Sequence, residues 1–177
     1  IDAASTCGIF TFNSIEFSGS GSLSVSAQDA NEAYAVYSIL SGITITSGQY
    51  IFSSYGTITG YGIMPGYGAK VTVNGGSLTA IGDGGIGVAI HTAGMALDFS
   101  NYSDCTAVAS LNANGEPELE YSENNADYYK YIKVETPAPL EYDENGFTAD
   151  KKHFEPALLN DGWYEICLLY TSPSPRD

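Results

Sequence analysis

Few side chains between residues 15 and 112 could do acid–base chemistry. The carboxylates there are Glu16, Asp29, Glu32, Asp83, Asp98 and Asp104, and the only lysine is Lys70. A glycoside hydrolase needs two carboxylates held at a fixed separation, and a lyase needs a carboxylate cluster beside a basic residue. These acids do not recur at a constant spacing, so we expect no catalytic site and no enzymatic activity.

Oxygen-bearing side chains that could bind a cation lie in two segments that connect predicted strands. Asp29, Asn31 and Glu32 lie on one, and Asp83 lies at the equivalent place further along the chain. Hard cations prefer such oxygen-rich loops. We therefore predict that calcium is the one ion these residues could hold, and that no other cofactor is needed. The alternative is that these acids only contact water.

Tyrosine is abundant, with fourteen in the chain. Tyr37, Tyr55 and Tyr67 are predicted near corners of the backbone, where an accessible and rigidly held ring suits stacking on a sugar or contact with a protein. We take these three as the candidate ligand-binding residues. Tyr34 and Tyr61 are expected to form a stacked ladder inside the fold, with Ile86 at the same position of the next repeat.

The histidines and cysteines indicate no second kind of site. His91 and His153 have no partner at a useful spacing, so both are predicted to be surface residues. Cys7, Cys105 and Cys167 lack the spacing of a metal site or a CxxC motif.

A repeat of about 26–28 residues positions all of these side chains. Each repeat opens with a triplet in which apolar and polar residues alternate, as a half-buried strand requires. The triplets begin at residues 15, 43, 71 and 97. A fixed period in this range is typical of stacked coils. The triplets are Ile15-Glu16-Phe17, Ile43-Thr44-Ile45, Val71-Thr72-Val73 and Leu97-Asp98-Phe99.

Two further short alternating segments follow each triplet, separated by glycine-containing corners. This pattern predicts three strands per coil and an all-β fold, a right-handed parallel β-helix in which each strand pairs with its equivalent in the next coil. Ile43, Ile45, Val71 and Val73 should face the core. The alternative is an antiparallel sandwich, but a sandwich has no reason to repeat the same corner at the same offset.

The composition changes after the repeats and predicts several segments. We assign residues 1–135 to the β-helix, with a loop at 113–127 and an edge strand at 128–135. Residues 136–139 are predicted as a linker, and 140–166 as the start of a second small module. Residues 167–177, CLLYTSPSPRD, resemble a translated sequencing-library adapter, which implies that they are artefactual.

The net charge of −15 excludes some partners. Such a chain should avoid nucleic acid and anionic membrane surfaces. No apolar run is long enough to span a bilayer, so we expect no membrane insertion.

Residues 15–99, with repeats such as VTVNGGSLTA…GIGVAI, resemble the β-helical repeat segments of large bacterial cell-surface proteins, many of them described as adhesin-like or carbohydrate-binding. Residues 145–166 resemble the module that joins such a segment to a following repeat domain. The resemblance implies a secreted or cell-surface location. The expected role is non-catalytic: adhesion or binding of a glycan or surface polymer by a monomer. The alternatives are a polysaccharide lyase or hydrolase whose active coils lie elsewhere, and a purely structural stalk.

Overall fold

The computed structural model describes residues 3–91, 97–99 and 105–136, except for the side chains of Ala3 and Asp29. All of them belong to the first of two units into which the chain divides, Ile1–Ala138. The predictions for residues 137–177 lie outside the described residues.

The described residues form ten strands and one short 3-10 helix, and the fold is a parallel β-solenoid of about three turns, as predicted. One sheet has seven strands in the order β1-β3-β5-β7-β10-β8-β9, and the other has three in the order β2-β4-β6. The strands are β1 Ala3–Thr11, β2 Ile15–Phe17, β3 Ser22–Ser38, β4 Ile43–Ile45, β5 Gln49–Met64, β6 Val71–Val73, β7 Ser77–Ile90, β8 Thr106–Ser110, β9 Leu119–Glu120 and β10 Tyr131–Glu135, and the helix is Glu123–Tyr128.

The three-stranded sheet confirms the predicted stacking of the triplets. Its strands are parallel and in register, so that Ile43 lies between Ile15 and Val71. A parallel bridge from Thr72 to Asp98 extends the stack to the fourth triplet. The predicted core side chains are fully buried, and the threonines between them are only partly buried, which confirms the assigned face: Ile43, Ile45, Val71 and Val73 are each 0% exposed.

The number of strands per coil differs from the prediction. The second and third segments of each repeat form one long strand, and the expected corner between them is an irregularity in an unbroken ladder. The register shifts between Ala27 and Ala30 in β3 and between Gly56 and Thr59 in β5. A β-bulge bends a strand without ending its pairing. Glycine fits this bend because a Cβ on Gly60 would overlap the carbonyl oxygen of Asp83.

This bend also corrects the predicted equivalence of Ile86. The offset between β5 and β7 is 28 residues at Gly56 and 27 after the shift, so Tyr61 pairs with Val88. Ile86 instead pairs with Thr59 and is 60% exposed. The prediction was wrong because the bend in β5 holds one residue more than the bend in β7.

An antiparallel cap follows the parallel coils. β10 pairs antiparallel with both β7 and β8, so it is an interior strand and not the predicted edge strand. Its Ile132 and Val134 are fully buried. The segment 113–127, predicted as a loop, contains β9 and most of the short helix. β8 runs in the direction of β7 but lies one strand further out, because β10 occupies the place between them.

Candidate functional site

A continuous row of partly exposed rings crosses the solenoid from β1 to the end of β7. We call it the aromatic strip. Neighbouring ring centroids along it lie 4.8 to 5.6 Å apart. Phe10 is 49% and Phe12 is 60% exposed, and the other four members are half-buried. In order, the members are Phe12, Phe10, Tyr37, Tyr34, Tyr61 and His91.

The repeat places these rings together through two sets of aligned positions. One set aligns Phe10 with Tyr37, and the other aligns Tyr34 with Tyr61. Neighbouring parallel strands lie about 4.8 Å apart, which matches the separation of 5.6 Å between the Tyr34 and Tyr61 ring centroids and between those of Phe10 and Tyr37. Strand pairing therefore sets the spacing of the rings along the solenoid.

A pair of consecutive buried residues joins the two sets. Ala35 and Val36 are both fully buried, whereas Tyr34 and Tyr37 on either side are partly exposed. Strict alternation would bury only one residue of such a pair, so the strand turns here and both flanking rings come to the same side. The Tyr34 and Tyr37 rings stack at 5.0 Å with an interplanar angle of 23°.

His91 ends the strip and also follows a pair of buried residues, two coils after Ala35 and Val36. Ala89 and Ile90 are both fully buried, and His91 follows them directly. Its ring stacks on Tyr61 at 4.8 Å and 27°. The prediction that His91 is a surface residue is confirmed to the extent that its side chain is partly exposed.

Two carboxylates lie against the tyrosine part of the strip. The Tyr34 hydroxyl donates a hydrogen bond of 3.1 Å to Glu32 Oε2. His91 Nδ1 lies 3.6 Å from Asp127 Oδ1. Asp127 belongs to the short helix of the cap, so the cap supplies part of this surface.

Tyr34 and Tyr61 are held in their neutral form. Burial, and then the hydrogen bond to Glu32, raise the pKa of Tyr34 to about 12. Burial also raises the pKa of Tyr61, with smaller contributions from the negative charges of Glu32 and Asp127. Neutral phenols keep a hydroxyl that can both donate and accept hydrogen bonds. The strip therefore offers flat apolar rings edged by polar groups.

The three tyrosines predicted to bind a ligand occupy three different places. Tyr37 belongs to the aromatic strip. Tyr55 is 51% exposed and lies opposite Asp83 at the bend of β5, and Tyr67 is 94% exposed in the turn that follows β5. Among the described residues, no ring contact joins these three tyrosines. Their role in binding stays a prediction, and Tyr55 and Tyr67 lie outside the aromatic strip.

Tyr34 and Tyr61 are neighbours as predicted, but their rings are tilted by 32° and lie on a partly exposed face, not inside the coils. The sequence carries a signal for this face. Aromatic residues recur 27 positions apart, as Phe10 with Tyr37 and Tyr34 with Tyr61, and also three positions apart in Tyr34 and Tyr37. A spacing of one coil combined with a spacing of three residues is the pattern that identifies the strip.

The predicted calcium ligands are spread over separate contacts. Asn31 Oδ1 accepts a hydrogen bond of 3.1 Å from the Thr57 hydroxyl, and Glu32 is bonded to Tyr34. Asp83 Oδ1 lies 3.1 Å from Lys130 Nζ. Within residues 3–91, 97–99 and 105–136, no three histidine, cysteine, aspartate or glutamate residues form a group that could hold a metal. Because the side chain of Asp29 is not described, calcium binding stays a prediction.

The pKa of the Asp83 carboxyl lies below its usual range. The backbone N–H of Gly84 is the largest cause, burial opposes it, and the Lys130 ammonium lowers the pKa further. Asp83 is therefore an ionised partner of a lysine in the cap, which is a structural role.

The other reactive groups are also paired or protonated. Burial raises the pKa of both the Cys7 and the Cys105 thiols, which disfavours the nucleophilic thiolate. Every lysine in the part of the chain that the structure describes lies within 3.2 Å of a carboxylate oxygen. The pairs are Lys70 with Asp98, Lys130 with Asp83 and Lys133 with Glu135.

None of the helices in the described ranges is long and apolar enough to cross a membrane. A comparison of the chain with protein-family models found no matching family, and comparisons with curated proteins and with solved structures found no match.

Proposed function

We propose that this chain is a non-catalytic binding segment of a secreted or cell-surface protein, and that the aromatic strip binds a glycan or a related surface polymer. The observation that carries this proposal is the continuous row of rings with centroids 4.8 to 5.6 Å apart. Flat amphipathic rings stack on the apolar faces of sugar rings, and their hydroxyls reach the polar rim of a ligand. The bacterial origin suggested by the repeats belongs to the same proposal.

Rigidity supports a binding role for the strip. The backbone under the rings is held by the ladders of β1, β3, β5 and β7. Beside Tyr34, Tyr37 and His91 the neighbouring residues Ala33, Ala35, Val36 and Ile90 are fully buried. A ligand therefore meets rings that are already in position, which lowers the entropy cost of binding. This feature distinguishes the strip from Tyr67, which is 94% exposed in a turn.

The expected affinity is low for a single site. An aromatic contact contributes about 0.5–1.5 kcal/mol beyond the area that it buries, so two or three rings give a Kd in roughly the millimolar range after the costs of association. Useful adhesion then depends on several sites acting together on one polymer or one surface. A monomer within a longer repeat protein would supply those sites along its length.

The absence of turnover is also part of the proposal. The described lysines are all paired with carboxylates, so none of them is placed as a free base beside a cluster of acids. The strong negative charge disfavours nucleic acid as the partner. A polysaccharide-active enzyme would instead require acids and a base that act together on a sugar.

A glycan array probed with the full chain tests the proposal, followed by assays for reducing ends and unsaturated products. We expect weak binding of at least one glycan class and no product. Replacing both Tyr34 and Tyr61 by alanine should abolish the binding, whereas Tyr55→Ala, a matched control outside the strip, should leave it intact. Release of product would support the lyase or hydrolase alternative. Failure to bind any glycan would favour the structural stalk.

A further inference from the structure

The charges next to the aromatic strip have one sign. Glu32 lies at its Tyr34 end, 3.1 Å from the phenol oxygen, and Asp127 lies at its His91 end, 3.6 Å from Nδ1. Tyr61 stacks between these two ends. Both carboxylates raise the pKa of Tyr61, which agrees with their lying close to its ring. A ligand on the tyrosine part of the strip therefore meets two carboxylates.

Lysines of the described residues do not offset these two charges. Lys70, Lys130 and Lys133 are paired with Asp98, Asp83 and Glu135, so no lysine of the described ranges is paired with Glu32 or Asp127. In the same ranges, the one ion pair given for Asp127 is with His91, which is charged only in its protonated form. The chain as a whole adds a net charge of −15. Both the local and the overall charge therefore oppose an anionic ligand.

From this arrangement we infer that the aromatic strip selects glycans that carry cationic amino groups over neutral glycans, and rejects uronic acid or sulfated glycans. This inference depends on the proposed glycan-binding function and adds to it the chemical class of the ligand. The faces of Tyr34 and Tyr61 pack against neighbouring rings. The attraction for a cationic ligand therefore comes from the carboxylates of Glu32 and Asp127 at either side of them.

The contacts suggest how an amino sugar would lie. Its ring would pack against the exposed part of Tyr34 or Tyr61 while its amino group lies towards Glu32 or Asp127. The two tyrosine ring centroids are 5.6 Å apart, so neighbouring sugars of one chain can engage both. A carboxylate or sulfate in the same place would lie beside Glu32 or Asp127 and be repelled.

The test compares three oligosaccharides of equal length with the full chain, using isothermal titration calorimetry at neutral pH. One carries N-acetyl groups and is neutral, one carries trimethylammonium groups and is cationic at every pH, and one is an oligogalacturonate. We expect the affinity to be highest for the cationic oligomer, lower for the neutral one and lowest for the anionic one. The cationic preference should shrink in about 1 M salt, where the Debye length is about 3 Å.

Single substitutions separate the local charges from the overall charge. Glu32→Gln and Asp127→Asn should each reduce the preference for the cationic over the neutral oligomer by about two- to fivefold, in line with the strength of exposed ion pairs. Glu16→Gln is the matched control. Glu16 is exposed on β2 and accepts a hydrogen bond from Thr46 at 3.2 Å, much as Glu32 accepts one from Tyr34. The control changes the net charge equally and should leave the preference unchanged.

The outcomes distinguish the two proposals. Binding of all three oligomers with equal affinity would overturn the charge selectivity and leave glycan binding in place. An equal effect of Glu16→Gln and Glu32→Gln would also overturn it, because the selectivity would then come from the net charge and not from the strip. No binding of any oligomer, together with an empty glycan array, would overturn the glycan-binding function itself.

Discussion

The same repeat builds the three-stranded sheet and the aromatic strip, but the two differ in how far their aligned side chains are buried. In the sheet, equivalent positions of successive coils carry Ile43 and Val71 or Ile45 and Val73, all 0% exposed. In the strip, equivalent positions carry rings that remain partly exposed. Each buried aliphatic side chain contributes about 1.5–3 kcal/mol to folding. The difference shows that one period can bury side chains on one face of the solenoid and leave rings partly exposed on another.

The largest expected effect on stability comes from a substitution in the buried face of the three-stranded sheet. Val73→Asp would place an unpaired charge between coils at a fully buried position. We expect a loss of roughly 3–5 kcal/mol of unfolding free energy, because the charge has no partner there. Chemical denaturation of both proteins measures it. Thr72→Asn, at the neighbouring and partly exposed position, serves as the control and should cost less than about 1 kcal/mol. Similar costs at both positions would contradict the assigned face.

A second substitution asks whether the antiparallel cap completes the same core. Ile132 of β10 is fully buried and pairs with Ala80 of β7 and Ala109 of β8. Ile132→Ala should cost about 2–5 kcal/mol through lost burial and a cavity. The control is Lys133→Ala on the other face of β10, where only a surface ion pair with Glu135 is lost.

Denaturation curves of these two variants should therefore separate clearly. If Ile132→Ala unfolds at the same denaturant concentration as Lys133→Ala, the cap does not belong to the cooperative core of the solenoid. The two strands that flank β10 would then need another source of burial.

Only part of this structure could be predicted from the sequence. The triplets were predictable because alternation of apolar and polar residues requires only a single buried face. The bend in the long strands was not, since glycine-containing segments such as GTITGYG fit a corner or a bulge equally well. The sequence also did not distinguish an edge position from an interior position for β10, because Tyr131-Ile132-Lys133-Val134 would alternate in the same way in both cases.

The strip was predictable in part. Tyr37 was a candidate from its predicted place near a corner, whereas Tyr34 and Tyr61 were predicted to be neighbours but inside the fold. Their partial exposure depends on two consecutive buried residues, Ala35 and Val36, which alternation alone does not predict. The residue of β7 that pairs with Tyr61 could not be predicted without the strand register, because the bends of β5 and β7 differ in length by one residue.

A smaller effect concerns the protonation of the strip at alkaline pH. The pKa of Tyr34 is about 12 in the folded chain, against 10.0 for an ordinary tyrosine. A raised pKa means that the folded state keeps its proton longer than the unfolded state. The stability that this contributes is complete below pH 10.0 and is lost as the pH rises towards about 12.

Tyr34→Phe should remove this part of the alkaline loss. The measurement is the unfolding free energy of both proteins as a function of pH, with phenolate absorbance as an independent record of the titration. Because Tyr61 and other tyrosines also titrate, the difference between the two curves is the informative quantity. Superimposable curves from pH 10.0 upward would mean that Tyr34 titrates as an ordinary tyrosine.

The most direct test of the central claim maps a bound glycan onto the rings. The full chain is titrated with the best ligand from the array while the aromatic side-chain NMR signals are recorded, with assignments from single Tyr→Phe variants. We predict saturable shifts at Tyr34, Tyr37, Tyr61 and His91, and none at Tyr55 or Tyr67. Shifts confined to Tyr55 and Tyr67, with Tyr34, Tyr37, Tyr61 and His91 unchanged, would contradict the assignment of the aromatic strip as the binding surface.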